Sequence, residues 1–408
     1  MLGLATAINY LDRQSLPVAI SEIQQSISIS DLQYSQLQIL FLVSYSLMYI
    51  GGGKLIDVVG TRIGYIVIIC WWSLANLLHG LVSSFLGLGI ARFLLGLGEG
   101  GGFPASAKVV SEWFPAKERS TAFGIFNTGS SLGAVVAPPL IAVIILGFSW
   151  RWVFIITGVV GFIWALVWYF VYQLPANSRY LGSEERSYIE SHVTPNQEQT
   201  KVPWLSLFTI KHVWGLVIAK FLSDAAGYFY IYWLPKYLGD IRGLDIQEIG
   251  YYAWIPYAAA GGGSFLGGWA SSYLLKRGFS LTNSRKIALG VAALLMPAAL
   301  FISSSPLNLA IVFFCMAMFG HQAFSTLMQT LTADLFPSST VGSVAGLVGA
   351  AGSMGGVVFN FAVGILLTHY SYTPVFLIAG ILHPLAFLVI LLMIGPVTDG
   401  RVAQNQPE

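Results

Sequence analysis

Four ionisable residues interrupt long apolar runs in the first hundred residues of this chain: Asp12 and Arg13 side by side, then Arg92 and Glu99. A guanidinium offers two parallel hydrogen bonds that match the two oxygens of a carboxylate, so Arg13 suits the anchoring of an organic anion in low-dielectric surroundings. A buried carboxyl group is charged or neutral according to its neighbours, which makes Asp12 beside Arg13 and Glu99 beside Arg92 natural proton switches. Arg92 and Glu99 lie two helical turns apart and project from one face of one helix. Tyr10 shares a face with Arg13, whereas Asp12 is turned about 100° round the helix and answers a different neighbour. Ionisable groups at bilayer depth cost about 2.5 to 3.5 kcal/mol each on insertion scales and mark ion or substrate paths. The competing reading is a static charge pair that ties helices together.

Weaker candidates follow the same logic. Asn127 and Ser130, one turn apart, can hydrogen-bond sugar hydroxyls or serve as interhelical glue. His321, followed by Gln322, reads substrate or proton if it faces a pore, and is otherwise a packing histidine. Lys220 and Asp224 are spaced to neutralise each other on one helix. Trp233 and Tyr237 read as interfacial anchors, and Asn360 takes no role. Cys70 and Cys315 sit in apolar runs with no CxxC spacing, so neither a disulfide framework nor a metal site is expected, and no cofactor.

The elements that position these residues must cross a membrane. Of 408 residues, 56% are apolar and only 9% charged, which excludes a soluble surface, and a net charge of +2 gives no field for nucleic acid. Apolar runs predict twelve spans, roughly 1–24, 35–57, 63–82, 85–113, 119–146, 151–173, 212–234, 248–275, 284–303, 306–333, 341–367 and 372–395. Between the sixth and seventh lies a polar linker with a short helix near Ser183 to Ser191. With both termini cytoplasmic, only Arg151, Lys236 and Arg242 of the twenty basic residues fall outside and Arg13, Arg92 and Lys220 within spans. The remaining fourteen lie inside, the positive-inside pattern. Eleven residues before Asp12 make only about 16 Å of helix, so the chain is expected to begin inside a longer N-terminus. No cleavable signal peptide pattern precedes them.

The chain also repeats. Shifted by 222 residues, 112–133 falls without a gap on 334–355, with Phe114/Phe336, Pro115/Pro337, Gly124/Gly346, Ser131/Ser353 and Gly133/Gly355 identical. Val153, Phe154 and Gly158 meet Val375, Phe376 and Gly380 at the same offset, and Glu99 meets His321. Parallel halves of this kind characterise transporters that bind substrate where the halves meet.

The second span ends in GGGKLIDVVGTRIGY, where Asp57 and Arg62 can form a switchable charge network at the membrane face. With twelve spans and a repeat, this resembles the loop signature of the major facilitator superfamily. Its second-half counterpart, GGWASSYLLKRG, has Ser271 and Ser272 in place of an acid, so a one-sided network is expected. Three further stretches are more specific: NYLDRQSLPVAI at 9–20, RFLLGLGEGGGFPASAKVVSEWFPAKERSTAFGIF at 92–126 and HQAFSTLMQTLTADLFPSSTVGSV at 321–344. They resemble the anion:cation symporter family, and the last is most similar to its hexuronate transporter branch. That resemblance implies protonation at Asp12 and Glu99, a carboxylate anchor at Arg13, tuning of Glu99 by Arg92, and approach to substrate by Tyr10 and Tyr45. The fifth span carries GSSLGAVVAPP instead of the run associated with drug antiporters, which favours uptake.

The expected architecture is an all-α membrane protein with twelve transmembrane helices in two pseudo-symmetric six-helix bundles, 1–174 and 212–395, a cytoplasmic linker 175–211 and a tail 396–408. The expected function is proton-coupled symport of a sugar-acid anion, hexuronate first, by alternating access in the inner membrane, by a monomer with lipid as its surroundings. Rival readings are symport of an aldonate, aldarate or aromatic acid, a non-transporting sensor, and a membrane enzyme acting on lipid-linked sugars. The last lacks any nucleophile triad or metal-ligand spacing.

Overall fold

In the computed structural model the described residues are 1–115, 118–192, 207–336 and 338–396, and among them every regular element is helical. The first half runs α1 Leu2–Ser26, α2 Asp31–Val59, α3 Thr61–Leu81, α4 Phe85–Glu99, α5 Gly102–Trp113, α6 Arg119–Gly147 and α7 Trp150–Val171. The linker helix α8 spans Ser183–His192. The second half runs α9 Lys211–Asp240, α10 Ile246–Tyr252, α11 Trp254–Lys276, α12 Leu281–Leu295, α13 Leu307–Leu335, α14 Ser338–His369 and α15 Tyr372–Met393. The rest of the expected linker, 193–206, and nearly all of the expected tail, 397–408, lie outside the described residues.

Seven stretches among the described residues are long and apolar enough to cross a membrane by length and composition, including Thr61–Leu81, Trp150–Val171 and Leu307–Leu335. Large apolar side chains such as Leu81, Phe170, Leu294 and Leu392 are mostly exposed, a surface made for lipid.

Three expected spans differ in detail, and the eighth, 248–275, is divided at Ala253 into α10 and α11. The fourth, 85–113, is two helices, because Glu99 is followed by three glycines that hold a helix poorly. The amide of Gly101 reaches back only three residues, to Gly98, and a Cβ at Gly100 would run into the Tyr45 carbonyl of α2. The ninth, 284–303, ends as a 3-10 turn over Met296–Phe301, where Pro297 lacks the amide that would continue α12. Between α2 and α3, Gly60 takes φ 82, a backbone that favours glycine.

The chain groups into two compact units, Met1–Ser30, Leu40–Gln197 and Leu244–Tyr251 in the first, and Asp31–Ile39, Glu198–Gly243 and Tyr252–Glu408 in the second. Within the first, α1 packs on α6 and α3 on α7; within the second, α9 packs on α14 and α15 and α11 on α13. Small residues permit the closest approaches. A Cβ at Gly133 of α6 would meet the backbone of Ala7, and one at Gly355 of α14 would meet the backbone of Phe221. Trp233 and Tyr237, expected as interfacial anchors, are instead fully buried in the second unit. Trp233 donates to Asn360 at 2.8 Å and meets Tyr34 edge-on, which gives Asn360 a structural role.

Candidate functional site

Arg13 and Glu99 meet in the buried interior of the first unit. The Nε and Nη2 of Arg13 donate to one oxygen of Glu99, Oε2, at 3.1 and 3.0 Å, and Nη2 also reaches Asn9 Oδ1 at 3.2 Å. The other oxygen, Oε1, accepts no hydrogen bond among the described residues. The guanidinium carbon lies 4.8 Å from the Tyr10 ring, 4.8 Å from Tyr45 and 5.3 Å from Phe41, an aromatic cage of the kind that stabilises a cation. Sequence spacing set Glu99 beside Arg92; the hydrogen bonds to Glu99 come from Arg13 instead, and Arg92 remains a charged neighbour of the acid. Arg92 donates through Nη2 to the backbone carbonyl of Arg13 at 3.3 Å, and its guanidinium lies 4.9 Å over Phe41, so it braces α1 while Arg13 takes the acid.

Asp12 faces the other way, as its helical angle requires. Its Oδ1 accepts from Asn76 Nδ2 of α3 at 2.8 Å, and the same nitrogen donates to Thr157 of α7 at 2.6 Å. Its Oδ2 has no partner among the described residues. A buried carboxyl with one neutral donor and one open oxygen has room to gain and lose a proton. Nearby on α3, His79 bonds the Ala75 carbonyl at 2.9 Å and stacks on Phe154, so it is part of the packing around Asn76.

From the cage an aromatic ladder runs along α2 and onward: Phe41 on Tyr45, Tyr45 on Tyr49, Tyr49 on Phe103 and Phe103 on Phe126. Spacing of four between Phe41, Tyr45 and Tyr49 was its sequence signal. Trp72 lies along the α4–α5 break. A Cβ at Gly98 would sit 2.6 Å from its Cβ, and one at Gly102 3.3 Å from its ring. On α6, the Ser130 hydroxyl donates to the Asn127 carbonyl at 2.7 Å, an internal helix contact, and Asn127 is half-buried.

Asp57 and Arg62 do not pair with each other. Asp57 binds Lys108 of α5 at 2.8 Å, while Arg62 donates to the Tyr169 carbonyl of α7 at 2.7 Å and lies over its ring. The turn at Gly60 sends the two charges to different helices. The expectation of a one-sided network fails too: in the second unit Arg285 donates to Asp334 at 2.6 Å and to Ser271 at 2.8 Å. Asp334 stands 222 residues after Glu112, which accepts from Thr61 and Tyr172.

Elsewhere in the second unit Lys220 pairs with Asp224 at 3.0 Å and donates to Ser325 at 2.7 Å. His321 Nδ1 and His383 Nε2 are 3.1 Å apart, and Gln322, next to His321 in sequence, is half-buried. Cys70 and Cys315 are free and half-buried.

The sequence profile of the Major Facilitator Superfamily matches residues 2–319 and 283–407. The chain belongs to the major facilitator superfamily. It is a multi-pass membrane transporter and not an enzyme. Among relatives, the hexuronate transporter of Escherichia coli K12 is 34% identical over 414 residues, covering 100% of this chain and 93% of the relative. The galacturonate transporter of Dickeya chrysanthemi is 35% identical over 75% of this chain and 91% of its own. The D-galactonate transporter of Escherichia coli O6:H1 is 29% identical over 97% and 95%. In fold, a bacterial homologue of the human lysosomal transporter Spinster aligns with TM-score 0.73 at 21% identity, over 97% of this chain and 94% of that one.

Proposed function

We infer that this superfamily member is a proton-coupled symporter that imports a sugar-acid anion, hexuronate first, by alternating access. The observation that carries the reading is the Arg13–Glu99 pair, in which a caged guanidinium is occupied by a protein carboxylate in the place where a substrate carboxylate would bind. Breaking a buried pair on one side leaves an uncompensated charge, which is strongly unfavourable. A proton on Glu99 therefore creates a demand for an anion at Arg13, and a bound anion keeps Glu99 protonated. Proton and substrate bind together because each lowers the cost of the other. Asp12, held by Asn76, is a second carrier, on the same helix as Arg13.

The names of the relatives support a sugar-acid cargo, with hexuronate and galacturonate transporters both above 30% identity. A single guanidinium reads the carboxylate and not the rest of the molecule, so an aldonate or aldarate is the second reading, supported by the D-galactonate relative. In this scheme the twelve expected spans are completed by α1, α2, α9, α11 and the broken α4–α5, the protein works as a monomer in the inner membrane, and both termini face the cytoplasm. One proton with one monovalent anion is electroneutral, and a second proton adds about 2.3 kcal/mol per 100 mV of membrane potential.

The test is uptake of radiolabelled glucuronate into proteoliposomes under an imposed pH gradient, with galacturonate, galactonate and galactarate as competitors. Accumulation that needs the gradient and is blocked best by galacturonate supports hexuronate symport. Accumulation indifferent to the gradient would overturn the proton coupling, and stronger competition by galactonate or galactarate would move the cargo to the second reading.

A further inference from the structure

The two units are built on one plan, and the plan can be overlaid from a matching pair of helix crossings. Gly133 presses on the backbone of Ala7 and Gly355, 222 residues later, on that of Phe221. Ala7 therefore corresponds to Phe221, and six residues on Arg13 corresponds to Gly227. Glu99 corresponds to His321 at the offset of 222. In the first unit Arg13 reaches Glu99. In the second, the residue at Arg13's place has no side chain, and a Cβ there would overlap the ring of His321, which fills the space.

His321 is thus the second unit's answer to Glu99, and its partner is another imidazole. Its Nδ1 lies 3.1 Å from Nε2 of His383, with the rings edge-on and Phe324 against His383. Nδ1 of His383 is buried and bonds nothing among the described residues. Two hydrogen-bonded imidazoles share one N–H when neutral and hold an added proton across both rings. The charged neighbours of His321 are Asp224 and Lys220 on α9, and those of His383 are His321 and Lys220. Lys220 and Asp224 form an ion pair that sums to zero, so a proton added to the imidazoles is the unbalanced charge of this interior.

We propose that His321 and His383 together form a second proton-binding site, in the second unit, loaded in company with the anionic cargo. Within a low-dielectric interior a lone positive charge is costly, so the pair takes up and gives back its proton as its surroundings change. The two units then carry unlike proton sites at equivalent places, a carboxylate held by a guanidinium in one and an imidazole pair in the other. This rests on the symport reading above.

The experiment compares wild type with His383→Gln in proteoliposomes, measuring proton-to-glucuronate stoichiometry from the membrane potential that just halts net uptake. Glutamine keeps a hydrogen-bonding side chain opposite His321 and cannot hold the added proton. The expected result is one fewer proton per glucuronate in the variant, with glucuronate counterflow retained. The same stoichiometry in both proteins overturns the proposal, whereas wild-type uptake without any proton coupling would instead overturn the symport reading. If the variant loses counterflow, histidine 15N NMR of the wild-type chain with glucuronate bound decides. Proton uptake by the coupled pair between pH 8 and 5 upholds the site, and two rings neutral throughout reject it.

Discussion

Asn76 of α3 donates its side-chain amide to Asp12 of α1 at 2.8 Å, and with the same nitrogen to Thr157 of α7 at 2.6 Å. Three helices are thereby tied at one buried nitrogen. Replacing Asn76 with leucine, of similar size, leaves Asp12 and Thr157 without this donor. An unsatisfied buried polar group costs about 1 to 3 kcal/mol. The expected outcome for Asn76→Leu is a lower thermal unfolding midpoint in detergent. An unchanged midpoint would mean that the amide does not hold Asp12.

Arg13→Lys keeps the positive charge and loses the planar fork. If the fork reads a carboxylate, the half-saturating glucuronate concentration in counterflow rises about tenfold or more, equivalent to about 1.4 kcal/mol. Equal half-saturation in the two proteins would remove Arg13 as the anchor.

Glu99→Gln resembles a permanently protonated acid. Uptake driven by a pH gradient should disappear while exchange of internal for external glucuronate continues, since Arg13 is then always available to the anion. Proton-driven accumulation that survives the substitution would sink the role given to Glu99.

The helix crossings make a fourth prediction. Gly133→Ala and Gly355→Ala each force a Cβ into the backbone of a neighbouring helix, and overpacking of this kind costs about 1 to 3 kcal/mol. Gly124 on the same α6 has open space around it, so Gly124→Ala should be neutral or stabilising by about 0.5 to 1 kcal/mol from helix propensity alone. Unfolding midpoints of the three variants check the ordering, and equal effects would contradict the crossings.

Much of this architecture was legible because lipid imposes a simple rule on sequence: charged residues in apolar runs stand out. Asp12, Arg13 and Glu99 were found that way, and all three are buried in the first unit. Their partners were not legible. Arg13 and Glu99 are separated by 86 positions, and only helix packing decides that Arg13 and not Arg92 receives the acid. Asn76 and Thr157 escaped notice because neutral polar residues within spans are common and their bonds depend on what three helices bring together. The same rule explains the seven spans recognised by composition. Helices α1 and α9 fall outside that set, and they are the ones that carry Asp12 and Arg13, and Lys220 and Asp224. The break after Glu99 was written in its three glycines, yet a run of apolar residues on both sides concealed it.

The indole of Trp72 lies against the position of Gly102, and its Cβ against that of Gly98, which puts a native fluorophore on the segment that carries Glu99. A shift of Glu99 away from Arg13 would change the electric field across that ring. Cargo loading should therefore be visible as a change in tryptophan emission, without a label, once the other eleven indoles are accounted for.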